Sequence, residues 1–226
     1  MLETLANWFP NMVDKMDEFW LAFWQTMLMV GWSGAISLVL GLVIGVLLVA
    51  TRDGGLMAQP AVYQVLDKVV NLFRSIPFII LLTLVMPVTR LIMGTAIGVE
   101  GAIVPLVFGT VPFFSRQIES ALSQVPPGLV EAAKAMGNSN VEILINVYLK
   151  ESIAPISRAI SITAISLISY TAMAGVVGAG GLGDFAIRYG HDRKQFDCTL
   201  ATVIVLVLLV SIIQMVGTLV ARRNEH

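Results

Sequence analysis

The sequence predicts an all-α, polytopic membrane protein with five transmembrane helices, and three observations carry that fold class. Hydrophobic residues make up 57% of the 226 residues and charged residues only 13%, with a mean hydropathy of +0.84. That balance leaves too little polar surface for a water-soluble domain. Charge-free runs recur at lengths suited to a bilayer, whose hydrocarbon core of roughly 30 Å takes about 20 helical residues. All 14 basic and 15 acidic residues fall outside those runs.

The first run, Phe19 to Thr51, is long enough to tilt or to project beyond the bilayer. Ser75 to Thr89 and Gly101 to Ser115 are shorter and must borrow flanking residues. Pro105 and Pro112 interrupt the hydrogen-bond ladder of the third run, and Glu100 sits at its edge. A membrane tolerates such prolines where neighbouring helices or water satisfy the freed carbonyls, so this span belongs inside a bundle. A kinked packing helix and a pathway lining both fit it. Ala159 to Gly183 and Cys198 to Ala221 are each long enough alone. Cys198, the single cysteine, reads as a packed or lipid-facing thiol without disulfide or metal chemistry.

Topology follows from Lys and Arg in the short loops. With the N-terminus outside, the inner segments hold Arg52, Lys68, Arg74, Arg116, Lys134, Lys150, Arg158, Arg222 and Arg223, and the outer ones hold Lys15, Arg90, Arg188, Arg193 and Lys194. Nine against five favours N-out and C-in. The expected layout is an outer segment 1–18, a transmembrane domain 19–221 with a cytoplasmic loop at about 126–150, and a tail 222–226. The acid-rich start and the very long first run exclude a signal peptide.

That loop builds a helix from physics alone. Pro127 suits a first helical turn, because its φ is fixed and its missing N–H would be unpaired there anyway. Leu129 to Met136 is rich in helix formers, and Gly137 can take the left-handed conformation that ends a helix before the turn residues Asn138 and Ser139. The result is a helix of about ten residues, roughly 15 Å long. Small side chains at Ala132, Ala133 and Ala135 keep its surface low, a shape that fits a groove on another protein. Val141, Leu144, Ile145, Tyr148 and Leu149 then recur at helical spacing and lead back to the membrane. An ordinary helical hairpin would share these features.

Glu131-Ala132-Ala133, Gly137 and Val147-x-Leu149 in this spacing resemble the EAA loop by which importer-type ABC permeases dock onto a separate ATPase. Asn71 to Leu82, Ala102 to Leu106, Pro127 to Gly137 and Val177 to Gly183 resemble the permeases of bacterial D- and L-methionine ABC importers. The resemblance covers the chain from about Trp20, leaving the acidic first 18 residues and the His191 to Phe196 loop outside it. Val147 replaces the usual isoleucine, and Lys150 stands where the motif usually ends in proline. The resemblance implies an inner-membrane permease subunit moving methionine by alternating access. It implies a homodimer with two cytoplasmic ATPase subunits and a periplasmic methionine-binding lipoprotein, surrounded by membrane lipid. Glu131, Ala132, Ala133, Met136 and Gly137 would form the ATPase-coupling helix, and Met173 would help form the outer gate. No Gly-Lys-Ser/Thr phosphate loop occurs in the sequence, so no cofactor is expected on this chain, and ATP with Mg would sit on the partner ATPase.

Gly178-x-Gly180-x-x-Gly183 matches a dinucleotide fingerprint literally but follows a membrane helix rather than a strand. Gly178, Gly180, Gly181 and Gly183 read instead as a sharp turn with close backbone approach at the outer end of the fourth span, where a binding protein would dock. Ser166, Ser169, Tyr170, Thr171 and Met173 just before it are pathway candidates, though small hydroxylated residues also serve tight helix packing. A net charge of −1 gives no basic footprint for nucleic acid. A proton-coupled secondary transporter would need ionisable residues at mid-membrane, which the runs lack. Neither His191 nor His226 has local partners for catalysis or metal binding. An ABC permease for another amino acid or a small peptide is the first alternative, and a non-ABC secondary transporter the second.

Overall fold

The computed structural model describes residues 9–224, which are almost entirely helical. A single turn, α1 (Pro10–Val13), precedes α2 (Met16–Thr51), α3 (Pro60–Ser75), α4 (Phe78–Met93) and α5 (Gly98–Leu122). Then come α6 (Pro127–Ala135), α7 (Asn140–Ile143), α8 (Ile153–Ala174), α9 (Gly181–Phe185) and α10 (Phe196–Arg223). The first eight residues of the expected outer segment, and the last two of the tail with His226, lie outside the described residues.

Among the described residues four helices, α2, α5, α8 and α10, are long and apolar enough to cross a membrane, and α3 with α4 makes a fifth candidate. At 36 residues α2 is about 54 Å long, well beyond a hydrocarbon core of roughly 30 Å. The third span is longer than its charge-free run, reaching 25 residues through Arg116 and Glu119. It stays helical through Pro105 and Pro112, and 56% of its most apolar stretch is buried, against 0% for α10. The enclosed position expected from its prolines is therefore where it lies.

Around the second run the structure differs from the sequence reading in two ways. The second run begins at Ser75, but Ser75 closes α3 and a new helix starts at Phe78 behind Pro77. Ile76 between them is extended, as the residue before a proline prefers. The amphipathic α3 was not expected at all. Its charged Asp67, Lys68 and Arg74 remove it from any search for charge-free runs.

The chain forms two compact units. One gathers the residues up to Ala35, Pro77–Phe108 and Ala164–Ile213; the other gathers Ile36–Ile76, Gly109–Thr163 and the residues from Gln214. In the second unit α2 and α5 touch through glycine. A β-carbon on Gly41 would come within 2.7 Å of Phe114, and one on Gly45 within 2.6 Å of Ile118. Val49, Ala50, Phe114, Ile118 and Leu122 extend that seam into a core that also receives the loop after α5. Arg116 ties α3 to α5 by pairing with Asp67, and it bonds Glu119 one turn on at 2.5 Å. In the first unit Met29, Phe78, Leu82, Leu106 and Leu167 form one core and Phe19, Leu182, Phe185, Tyr189 and Cys198 another. Cys198 is thus a packed thiol. Asn11 and Met12 donate three hydrogen bonds to Asp197, at 2.8, 3.0 and 3.1 Å, pinning the N-terminal turn to the start of α10.

Candidate functional site

The expected loop helix is α6, in the second unit. It begins with Pro127 in its first turn and runs nine residues. Gly137 ends it at φ 83°, where an L side chain would be strained. The N–H of Gly137 donates to the Lys134 carbonyl at 3.0 Å and that of Asn138 to the Ala133 carbonyl at 3.2 Å, the bonding pattern of a left-handed helix stop. Ser139 then caps α7. Its hydroxyl accepts from the Glu142 N–H at 3.3 Å, while its own N–H donates to the Glu142 carboxylate at 2.7 Å. These bonds hold the Glu142 carboxyl below its ordinary range, the backbone N–H of Ser139 contributing most.

α6 stands on Val130 (8% exposed) and Ala133 (2%), which pack with Ile118, Leu122, Ile143 and Tyr148. Its outward side carries Leu129, Glu131, Ala132 and Met136, the last 75% exposed. Expecting Ala133 on a partner-facing surface is corrected by this burial: three residues from Val130, it shares the inward face of the helix. In the return segment Ile143, Leu144 and Tyr148 are the buried residues, whereas Val141 and Ile145 face outward. The stretch Leu144–Leu149 winds in wider turns, which moves the inward face off simple helical spacing. Lys150 keeps helical geometry, so the chain passes on toward α8 without the break a proline would impose there.

The second group of candidates lies in the first unit. Met173, 46% exposed, and Ser169 open onto a groove of about 600 Å³ whose lining is overwhelmingly apolar and includes Leu206, Val207 and Ser211 of α10. Thr171 does not share it: the residue is 2% exposed and its hydroxyl donates to the Ile168 carbonyl at 2.7 Å. Tyr170 stacks on Phe78 at 4.6 Å, within the core of its unit. Ser166 is partly buried and outside the groove lining. Of the five pathway candidates the fold therefore brings two to one surface.

The glycine turn after α8 makes the expected close approaches. Gly178, Gly180 and Gly181 all have positive φ. A β-carbon on Gly183 would lie 2.3 Å from the Ala172 carbonyl oxygen. Gly178 is exposed, but Gly181 is buried and Gly180 and Gly183 partly so, which corrects the picture of four glycines forming a docking surface. Two residues that the sequence reading passed over hold this turn: Gln25 accepts from the Gly181 N–H at 2.8 Å and Thr26 from the Leu182 N–H at 2.9 Å. The available signal was Gln25 itself, the sole side-chain amide in the run Phe19 to Thr51.

Apolar spans, a short helix with an exposed outward face and a largely apolar groove define a multi-span membrane protein. The chain belongs to the family of binding-protein-dependent transport system inner membrane components, whose family model matches residues 37–226. It is 46% identical to a probable D-methionine transport system permease protein of Vibrio cholerae serotype O1, over 99% of this chain and 98% of that one. It is 39% identical to a methionine import system permease protein of Bacillus subtilis strain 168, over 95% and 96% of the two chains. Among solved structures it resembles the MetNI methionine ABC transporter in an inward-facing conformation, with TM-score 0.91, 41% identity, and 94% and 99% of the two chains covered. An amino acid ABC transporter solved with histidines shares the fold, with TM-score 0.79 at 18% identity over 95% and 98% of the chains.

Proposed function

We propose that this chain is the membrane-spanning subunit of an ATP-driven methionine importer, working as a homodimer with two cytoplasmic ATPase subunits and a periplasmic methionine-binding lipoprotein. The observation that carries this reading is α6, anchored inward by Val130 and Ala133 and presenting Leu129, Glu131, Ala132 and Met136 outward. A short helix that opens on Pro127 and is stopped by Gly137 is suited to transmit force through a groove on another protein. ATP and Mg belong to the partner, and no cofactor sits on this chain. The N-terminal segment 1–18 lies outside, the transmembrane domain is 19–221, and the tail 222–226 is cytoplasmic with the loop at 126–150.

Closure of the ATPases draws the two α6 helices together, and the attached spans rock from inward-open to outward-open. Met173, the bulky exposed side chain on the groove, closes the outer mouth, with Ser169 beside it on the solute path. A thioether suits that task, being flexible and polarizable enough to seal against changing neighbours. Gly178, the exposed glycine of the turn, meets the binding protein in this reading.

The test is copurification from detergent followed by uptake into proteoliposomes. A stably bound nucleotide-hydrolysing partner and ATP-dependent uptake of labelled methionine support the reading. Uptake driven by a proton gradient without ATP overturns it. Competition by other amino acids or small peptides, with methionine ineffective, would keep the permease and replace its cargo.

A further inference from the structure

The glycine turn is fastened to the first long helix by two side chains that the transport scheme above does not use. Gln25 and Thr26 are consecutive on α2, within an apolar run, and Thr26 is 2% exposed. The N–H groups they receive, from Gly181 and Leu182, open α9 and have no partner inside that helix. Gly180, at the capping position, has no side chain to offer. In an apolar environment such donors must be satisfied from elsewhere, and α2 supplies both acceptors. The Thr26 hydroxyl also donates to the Ala22 carbonyl at 3.1 Å, which aims its lone pairs at Leu182.

The fit has no slack. A β-carbon on Gly180 would lie 2.6 Å from the Gln25 amide oxygen, and one on Gly181 would lie 2.8 Å from both the Thr26 hydroxyl and the Met29 methyl. On its other side α9 touches the end of α8 backbone to backbone. Gly183 meets the Ala172 carbonyl, and a β-carbon on Gly175 would come 2.5 Å from the Asp184 nitrogen. Ala172 and Gly175 flank Met173. Met173 is therefore linked to α2 through the two hydrogen bonds accepted by Gln25 and Thr26 and the two close backbone contacts at Gly175 and Gly183.

We infer that Gln25 and Thr26 are positioning residues for the outer gate, fixing where Met173 stands by holding the Gly180–Leu182 turn against α2. The inference rests on the reading of Met173 as the gate. If the clamp sets the gate, loosening it lets the gate occupy wrong positions while the chain still inserts and assembles.

The experiment uses the complete transporter in proteoliposomes with labelled L-methionine as probe. Thr26→Val removes the acceptor at nearly constant shape, Gln25→Leu removes the other, and Thr26→Ser restores a hydroxyl. Loss of one acceptor for a buried donor shifts the gate equilibrium about tenfold. ATP hydrolysed per methionine moved should rise by that order in Thr26→Val and Gln25→Leu. Crosslinking of a Met173→Cys pair should slow, and Thr26→Ser should restore both. Adding Met173→Ala to Thr26→Val should change the ratio little further, since both act on one device. Lower thermal stability with the wild-type ratio and wild-type crosslinking would make the clamp ordinary packing and overturn the inference. Met173→Ala leaving coupling unchanged would instead remove the gate reading, a separate result that takes the clamp inference with it.

Discussion

Ala133 and Met136 stand three residues apart on one short helix, and their surroundings give them opposite tasks. Ala133 is 2% exposed among Ile118, Leu122 and Ile143, so Ala133→Asp places an unpaired charge in the chain's own core, at a cost of about 3 kcal/mol or more. Membrane levels of that variant should fall. Met136 is 75% exposed, so Met136→Asp should leave insertion and stability intact while ATPase association and uptake drop. Blotting of membranes beside a pull-down separates the two outcomes. Wild-type association in Met136→Asp would take that residue off the docking surface. Gly137 is a third case: nothing crowds its β-position, so Gly137→Ala suffers only from its φ of 83°, about 1–2 kcal/mol, and Gly137→Asn should be milder. The spacing of Glu131, Ala133 and Gly137 made the helix and its end legible, but which alanine faces inward was not. That depends on Ile118 and Ile143, whose arrival beneath α6 no local pattern announces.

Among the elements, the seam between α2 and α5 leaves little room for a side chain. A side chain at Gly45 meets both the Ile118 side chain and, at 2.8 Å, the Ser115 carbonyl oxygen, and that backbone has nowhere to go. Gly45→Ala should cost about 1–3 kcal/mol by overpacking and lower the melting point of the purified complex; an unchanged melting point would mean the helices part easily. The Ser139 cap gives a pH signature. Because the folded pKa of Glu142 is lowered, its contribution is present above the unfolded, ordinary carboxylate pKa. It is lost as pH falls through the lowered folded value. Amide exchange at Ile143, corrected for its intrinsic pH dependence, should accelerate over that acidic window in the wild type and already be fast at neutral pH in Ser139→Ala. The charge-free runs located α2, α5, α8 and α10 well. They failed at α3 and α4, because α3 is apolar along one side only and Pro77 divides what reads as one run.

At the scale of the whole molecule, charge bias predicts an orientation that labelling can check. On a Cys198→Ser background, an impermeant thiol reagent should reach Asp192→Cys in sealed right-side-out vesicles and leave Ser139→Cys untouched; the reverse pattern rejects the N-out arrangement. Composition and spacing made the membrane class, the loop helix and the glycine turn readable, because each depends on residues close together in sequence. The clamp on that turn was not readable, since Gln25 and Gly181 are 156 residues apart. That separation also orders biogenesis in time. At about 5–20 residues per second, roughly eight to thirty seconds of synthesis separate Gln25 from the N–H it will accept. Throughout that interval the Gln25 amide oxygen lacks the N–H that it accepts from in the folded chain.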